Sequence, residues 1–146
     1  MLVQQHTIKT PVTMSGVGLH TGVQTTMTFK PAPENYGIRF RRIDVGGTPE
    51  IPADVDHVIG VDRGTTIGIG DVRIHTVEHV LAAIVGLQVD NVIIELDNIE
   101  PPIADGSSKP FVDMILESGV QEQEAPKDYL IIDQTIRYQN EEKGVE

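Results

Sequence analysis

Residues 75–79 hold the side chains of this sequence that are best suited to chemistry. They read His-Thr-Val-Glu-His, so two imidazoles and one carboxylate fall within a single short segment. Imidazole and carboxylate groups bind zinc in proteins, and a carboxylate beside a metal can take a proton from water. The chain contains no cysteine, so a metal site in it would have to use these groups without thiolates. The segment is therefore the first candidate site.

The spacing of His75, Glu78 and His79 matches the His-x-x-Glu-His motif of the inverted zinc peptidases. In that motif, two histidines on one helix bind zinc and the glutamate serves as the base. The geometry requires both histidines to be helical, because residues four apart lie on the same face of a helix. Whether this interpretation holds depends on where the helix begins.

The flanking residues predict that the helix begins after His75. Residues 71–75 alternate between polar and apolar side chains as a strand does. The apolar residues that follow recur at helical spacing, and they are Val77, Val80, Leu81 and Ile84. Thr76 is predicted to cap the helix, and Gly86 or residues 88–91 to end it. With Thr76 as the cap, His75 lies outside the helix and is more simply a solvent-facing residue at the end of a strand.

Glu78 and His79 remain a candidate pair in the first helical turn. Adjacent helical residues point about 100° apart, so His79 could bind a metal while Glu78 accepts a proton from water. In the structural alternative, Glu78 only interacts with the helix dipole and His79 lies on a solvated face. The residues alone leave both interpretations open. A catalytic zinc needs three protein ligands, and His6, His20 and His57 show no paired spacing, so the metal site is incomplete.

The charge of the chain argues against several classes of partner. Its 146 residues include 22 acidic and 11 basic side chains, giving a net charge of −11. Nucleic acids and anionic membranes attract clustered Lys and Arg, so neither is expected as a partner. Arg39 and Arg41 alternate with Ile38 and Phe40, and they are predicted to form a solvated sheet face, with substrate phosphate binding as the alternative. Without a signal segment or a membrane-length apolar run, we expect a soluble, cytoplasmic protein.

The remaining pattern predicts a sheet and a second helix. Strands are predicted at residues 2–12, 23–30, 36–43 and 91–96, a glycine turn at 15–22, and an irregular β insert at about 44–70. The second helix is predicted from Lys109 or Pro110 to Gly119, with Ser107 or Ser108 as cap and Phe111, Met114 and Ile115 buried. Residues 121–127 are predicted to be a linker, and 129–132 and 135–138 strands of a second unit.

Four short blocks of sequence, taken in their order along the chain, match a known family. They are residues 16–22, residues 76–79 followed by Ala82 and Ala83, residues 90–91, and residues 101–107 followed by 110–112. In order and spacing they resemble the amino-terminal half of the UDP-3-O-acyl-N-acetylglucosamine deacetylases. That family comprises cytoplasmic zinc amidases of Gram-negative bacteria, which remove acetate from a UDP-linked acylated glucosamine in lipid A synthesis. The resemblance implies an α+β fold, a sheet layered with two helices plus a small β insert, as one of two similar domains that sandwich the site.

The resemblance also implies roles for individual residues. His79 would be one zinc ligand, and Glu78 the general base that activates water against the acetamide carbonyl. Leu19 and His20, with the insert around residues 61–66, would line the substrate site or the acyl passage. Residues 1–125 would form the amino-terminal domain, and 126–146 a linker and the first strand of a second domain. That second domain supplies the family's other zinc ligands, its histidine acid and its lysine, so this chain alone is expected to be inactive.

Overall fold

The structure, a computed structural model, describes residues 3–146 and combines three small sheets with two helices. The strands are β1 (Gln4–Ile8), β2 (Val12–Val17), β3 (Gln24–Pro31), β4 (Ile38–Arg42), β5 (Glu50–Pro52), β6 (Val58–Gly60), β7 (Thr66–Ile69), β8 (Val72–Ile74), β9 (Val92–Leu96) and β10 (Val120–Pro126). The helices are α1 (Glu78–Gly86) and α2 (Lys109–Ser118), and a short 3-10 helix covers Val55–His57. No helix within residues 3–146 has the length and hydrophobicity needed to cross a membrane.

The main sheet has five strands in the order β2-β3-β9-β4-β5. The β4–β9 pairing is parallel and the other pairings are antiparallel. Strands β6, β7 and β8 form a separate three-stranded sheet, which we call the insert, and β1 pairs with β10. The predicted fold class, an α+β arrangement of a sheet with two helices and a small β insert, is confirmed.

One apolar core joins the main sheet to both helices. Its fully buried members include Phe29, Phe40, Ile94, Leu96, Val80, Ile84, Phe111 and Ile115. The positions follow the two periods of the sequence, every second residue in a strand and every third or fourth in a helix. The stripe predicted for α1 is buried except for Leu81, which is half-buried, and α1 packs against α2. The buried set predicted for α2, Phe111, Met114 and Ile115, is confirmed.

The insert has different bounds from those predicted. Strand β5 pairs with β4 in the main sheet, with Ile51 opposite Phe40, so residues 44–53 do not belong to the insert. Both side chains are fully buried, which explains why this short strand joins the core sheet. At its other end the insert continues beyond residue 70, because β8 pairs with β7. The three-stranded sheet therefore spans residues 58–74.

Two predictions near the chain termini are wrong. The single strand predicted at residues 2–12, of which residue 2 lies outside the described residues, is divided into β1 and β2. The linker predicted at residues 121–127 is largely strand β10, antiparallel to β1, with Ile8 opposite Val120. The side chains of β10 are mostly polar, so the sequence shows no alternating apolar pattern there. The strand is held by backbone hydrogen bonds to β1 rather than by an apolar face.

The strands predicted at residues 129–132 and 135–138 do not form. Within the described chain, the only pairing after β10 is an isolated bridge between Asn140 and Val145. Leu130 is 92% exposed and Ile131 is 79% exposed, so this apolar run contacts little of the core. A β-branched run has high strand propensity, but a strand needs a neighbour to satisfy its backbone groups.

Candidate active site

The start of α1 determines how residues 75–79 are presented. The helix begins at Glu78, and Thr76 two residues earlier has a φ of 56°, in the left-handed region. His75 therefore lies outside the helix, as predicted, and cannot share a helical face with His79. The predicted cap is wrong, because the Thr76 hydroxyl donates to Glu100 Oε1 at 2.7 Å instead of accepting from the helix. Val77 occupies the N-cap position and makes no side-chain capping bond.

His75 lies between β8, the last strand of the insert, and α1. Its backbone N–H donates to the Ile99 carbonyl oxygen at 2.9 Å, and its Nδ1 lies 2.9 Å from the Thr66 hydroxyl. The side chain is half-buried. The prediction of a solvent-facing strand-end histidine is therefore corrected to a residue that links two strands of the insert.

Glu78 projects from the first turn of α1 and is exposed. Its Oε1 accepts a hydrogen bond from the backbone N–H of Thr65 in the insert. Burial raises the pKa of the Glu78 carboxyl, but its own N–H and Thr65 outweigh that effect, and the pKa is lowered. At neutral pH Glu78 is thus an ionised carboxylate with a fixed orientation, which is the state a proton acceptor requires.

His79, the next residue, is half-buried. Its Nδ1 is buried and has no hydrogen-bond partner within residues 3–146. A buried polar atom without a partner is uncommon in proteins and calls for an explanation such as an ion or water. One uncommitted imidazole fits a single zinc ligand. The described residues contain no group of three or more His, Cys, Asp or Glu side chains that could hold a metal, so they fit only part of a catalytic zinc site.

Glu100 connects the site to the glycine turn, residues 18–22. It is fully buried, and its two oxygens accept from the His20 N–H at 3.1 and 3.2 Å. Oε2 also accepts from the Thr21 N–H at 2.8 Å and from the Thr21 hydroxyl at 2.6 Å. With the bond from Thr76, this carboxylate holds the turn against the segment that precedes α1. In the sequence, Glu100 is marked only as a charged residue before two prolines.

The glycine turn is shorter than predicted, since β2 continues to Val17 and the turn occupies only residues 18–22. A Cβ on Gly18 would collide with Glu100 Oε2, so glycine is required there for the close approach of the carboxylate. Gly22 has a φ of 66°, which glycine adopts without strain. The predicted turn thus reverses the chain and also donates hydrogen bonds to Glu100.

The turn brings His20 next to the start of α1. A Cβ built on Gly64 of the insert would lie 3.6 Å from His20 Nε2 and 3.8 Å from Glu78 Oε1, so Gly64 separates the two side chains narrowly. His20 also lines a pocket of about 150 Å³ together with residues of the insert and of the 75–76 junction. Leu19 on the same turn is 53% exposed and does not line that pocket.

The arginine face of β4 is occupied by ion pairs. Arg41 pairs with Glu50 and with Glu95, the latter at 3.0 Å, and Arg39 lies 4.9 Å above the Tyr36 ring. The predicted solvated face is therefore a charged network on the sheet. With its guanidinium committed to two carboxylates, Arg41 offers little for a substrate phosphate.

The buried Glu100 carboxylate predicts a specific acid sensitivity. Burial alone would raise its pKa, but the Thr21 and Thr76 hydroxyls and the turn amides lower it to about 2. Because this folded-state pKa lies below the unfolded value of about 4.3, the stabilisation is present above pH 4.3 and is lost as the pH falls towards 2. At about 1.4 kcal/mol per pKa unit it amounts to roughly 3 kcal/mol. Urea unfolding of wild type and Glu100→Gln should show a difference that shrinks from pH 6 to pH 3, whereas a constant difference would contradict the assignment.

The fold and the site together define a class of protein. An α+β domain presents a carboxylate beside an uncommitted imidazole from one helical turn, with a second histidine mounted nearby, which is an arrangement suited to one side of a hydrolase site. The family model described as LpxC, UDP-3-O-acyl N-acetylglycosamine deacetylase, matches residues 5–146. The chain belongs to this family.

Individual relatives agree with the family match. The chain is 56% identical over 146 residues to the bifunctional enzyme LpxC/FabZ of Chlorobaculum tepidum, covering all of this chain and 31% of the relative. It is 45% identical over 142 residues to the UDP-3-O-acyl-N-acetylglucosamine deacetylase of Cellvibrio japonicus, covering 97% and 47%. For the Coxiella burnetii deacetylase the identity is 43% over 144 residues, covering 99% and 48%. The chain thus spans about half the length of the two deacetylases and about a third of the bifunctional enzyme.

Proposed function

We propose that this chain forms the amino-terminal half of a zinc-dependent deacetylase that removes the N-acetyl group of UDP-3-O-(3-hydroxyacyl)-N-acetylglucosamine in lipid A biosynthesis. The observation that carries the proposal is the presentation of Glu78 and His79 from one helical turn beside the His20 turn. Membership of the family supports it, as do the printed names of the relatives. The reaction is expected to take place in the cytoplasm.

The chemistry to be accomplished is hydrolysis of an amide. Water must lose a proton as it attacks the acetamide carbonyl, and the leaving amine must gain one as the C–N bond breaks. When bound, zinc would supply Lewis-acid polarisation of the carbonyl and would lower the pKa of water. This chain offers a proton acceptor for the first event, and His79 as one ligand for the metal.

Glu78 is the proposed general base. The Thr65 N–H donates to Oε1 and so holds the carboxylate in place, and Oε2 is the oxygen that we propose accepts the proton. A carboxylate with a lowered pKa is a weak base, so it needs a water whose own pKa is lowered as well. This requirement matches the division of labour between Glu78 and a metal held by His79.

The remaining ligands and the proton donor are proposed to come from a second domain. A catalytic zinc takes three protein ligands, and the described residues offer only His79 at this place. The outer face of the two helices is partly apolar, since Val85 on α1 is 65% exposed and Leu116 on α2 is 58% exposed. We propose that the second domain packs on this face, and that residues 126–146 lead into it.

The substrate is proposed to lie along the His20 turn. A pocket of about 150 Å³ beside His20 is smaller than the 300–1,000 Å³ typical of ligand sites, so the substrate would also contact the second domain. Leu19 on this turn is 53% exposed, and Val61 in the insert is 74% exposed. Contact with an acyl chain would account for their exposure. The phosphates of the UDP group need cationic side chains other than Arg41, since Arg41 is paired with two carboxylates.

The inverted zinc peptidase is disfavoured by a specific observation. His75 precedes Thr76, whose positive φ separates the strand from the helix. The imidazole of His75 is instead directed to the Thr66 hydroxyl. Since His75 lies outside α1, the two imidazoles do not share the helical face that this motif requires.

The proposal predicts acetate release from the UDP-linked substrate by the full-length protein. Turnover should disappear after treatment with a zinc chelator and return on addition of zinc, because His79 would bind the metal that the reaction needs. Acetate can be measured by an enzyme-coupled assay, with the same substrate lacking the N-acetyl group as the control. A folded, zinc-loaded protein that releases no acetate would overturn the proposal in favour of a non-catalytic interaction module.

A further inference from the structure

The buried carboxylate of Glu100 joins two segments of the chain that are distant in sequence. Among residues 3–146 it is the least exposed carboxylate, at 0%, and its hydrogen-bond donors come from two separate segments. One segment is the His20 turn, and the other is Thr76 before α1. We infer that Glu100 is a positioning residue for the proposed deacetylation, which fixes the His20 turn relative to Glu78 and His79. This inference rests on the proposed function and adds to it a residue that does not contact substrate.

The link to Thr76 controls the start of α1. A positive φ is strained for a β-branched residue, so Thr76 needs contacts that hold it there. The bond to Glu100 Oε1 is one, and the bond from the His75 N–H to the Ile99 carbonyl oxygen, next to Glu100, is another. Glu78 lies only two residues after Thr76. A rotation of the Thr76 backbone would therefore change the direction of the Glu78 carboxylate.

The link to the turn controls His20. Glu100 Oε2 accepts from both the amide and the hydroxyl of Thr21, so it orders the turn from inside. Gly18 allows the carboxylate to approach the backbone this closely. If the carboxylate were lost, His20 would keep its place in the chain but not its fixed position beside Gly64.

A matched pair of substitutions separates positioning from stability. Glu100→Gln keeps the shape but offers one acceptor oxygen and an NH₂ group that faces the turn donors. Glu100→Asp keeps the charge but is shorter, and should recover part of the activity. Glu95→Gln is the control, since Glu95 is buried and ion-paired with Lys30 and Arg41 on the sheet, away from the site.

The experiment measures kcat, KM and amide hydrogen exchange in the full-length protein. We expect Glu100→Gln to lower kcat roughly 10- to 100-fold, with KM within about threefold. Exchange should become faster at residues 18–21 and 76–79. Glu95→Gln should unfold at a lower temperature and keep its kcat. A kcat of Glu100→Gln within about twofold of wild type would overturn the inference, and so would equal losses in both variants.

Two further outcomes are decisive. If Glu100→Gln does not fold, Thr76→Val removes one link alone, and an unchanged kcat in that variant would overturn the inference. If wild type releases no acetate, the proposed function fails separately. The exchange data then decide whether Glu100 couples the two segments: faster exchange at both supports the coupling, and unchanged exchange at residues 76–79 overturns it.

Discussion

Replacing Glu78 with alanine in the full-length protein is expected to lower kcat by about 10²- to 10⁴-fold, the range typical of a general base. The proposed proton acceptor is lost, while His79 is untouched. Glu78 is exposed, and its described side-chain partner is the Thr65 N–H, so the fold should not depend on it. Zinc content should therefore stay at the wild-type level.

The measurement is steady-state acetate release together with metal analysis of the same samples. Glu122→Ala is a matched control, since Glu122 is an exposed glutamate on β10 and not on the helices where the second domain is proposed to pack. It should leave both kcat and zinc content unchanged. A Glu78→Ala variant that keeps kcat within about twofold would show that another group takes the proton.

Replacing His79 with alanine is expected to remove zinc as well as turnover. Losing even a hydrogen-bond partner of a metal ligand costs roughly 10- to 100-fold in affinity, so losing a ligand should cost more. Zinc per protein, measured by mass spectrometry after dialysis, should fall well below the wild-type value. His75→Ala is the control, because His75 bonds to Thr66 and lies outside α1. Zinc loss in His75→Ala with retention in His79→Ala would favour the inverted peptidase motif.

The core elements of the fold could be predicted because each one carries its own signal. Strands β3 and β9 and helices α1 and α2 bury residues at the spacing of their own secondary structure, as Phe29 and Ile115 illustrate. Local periodicity is enough to place such elements. The order of strands in the sheet is not local information, and it was not predicted.

The elements that escaped prediction depend on distant partners. Strand β10 is polar and its sequence predicts a linker, because its partner β1 lies more than a hundred residues away in sequence. The opposite error occurred at residues 129–132, where a strand-like run has no neighbouring strand within the described chain. In both cases pairing outweighed the preference of the side chains.

The site residues differ in the same way between those marked by local sequence and those defined by distant partners. Glu78 and His79 were found because they lie together in one short segment. The sequence does not point to Glu100, since its hydrogen-bond donors come from two distant segments that meet only in the fold. The wrong cap at Thr76 has the same cause, because its hydroxyl donates to Glu100, 24 residues away, and the N-cap position falls on Val77.

The central claim is that one opening helical turn supplies both a metal ligand and its neighbouring base. It is tested most directly by anomalous diffraction at the zinc edge on crystals of the zinc-loaded, full-length protein. The expected result is a zinc peak about 2.0–2.1 Å from an imidazole nitrogen of His79, with the Glu78 carboxylate beside it and not among the ligands. A fully occupied zinc that is bound without His79, or no zinc at this helix start, would contradict the claim.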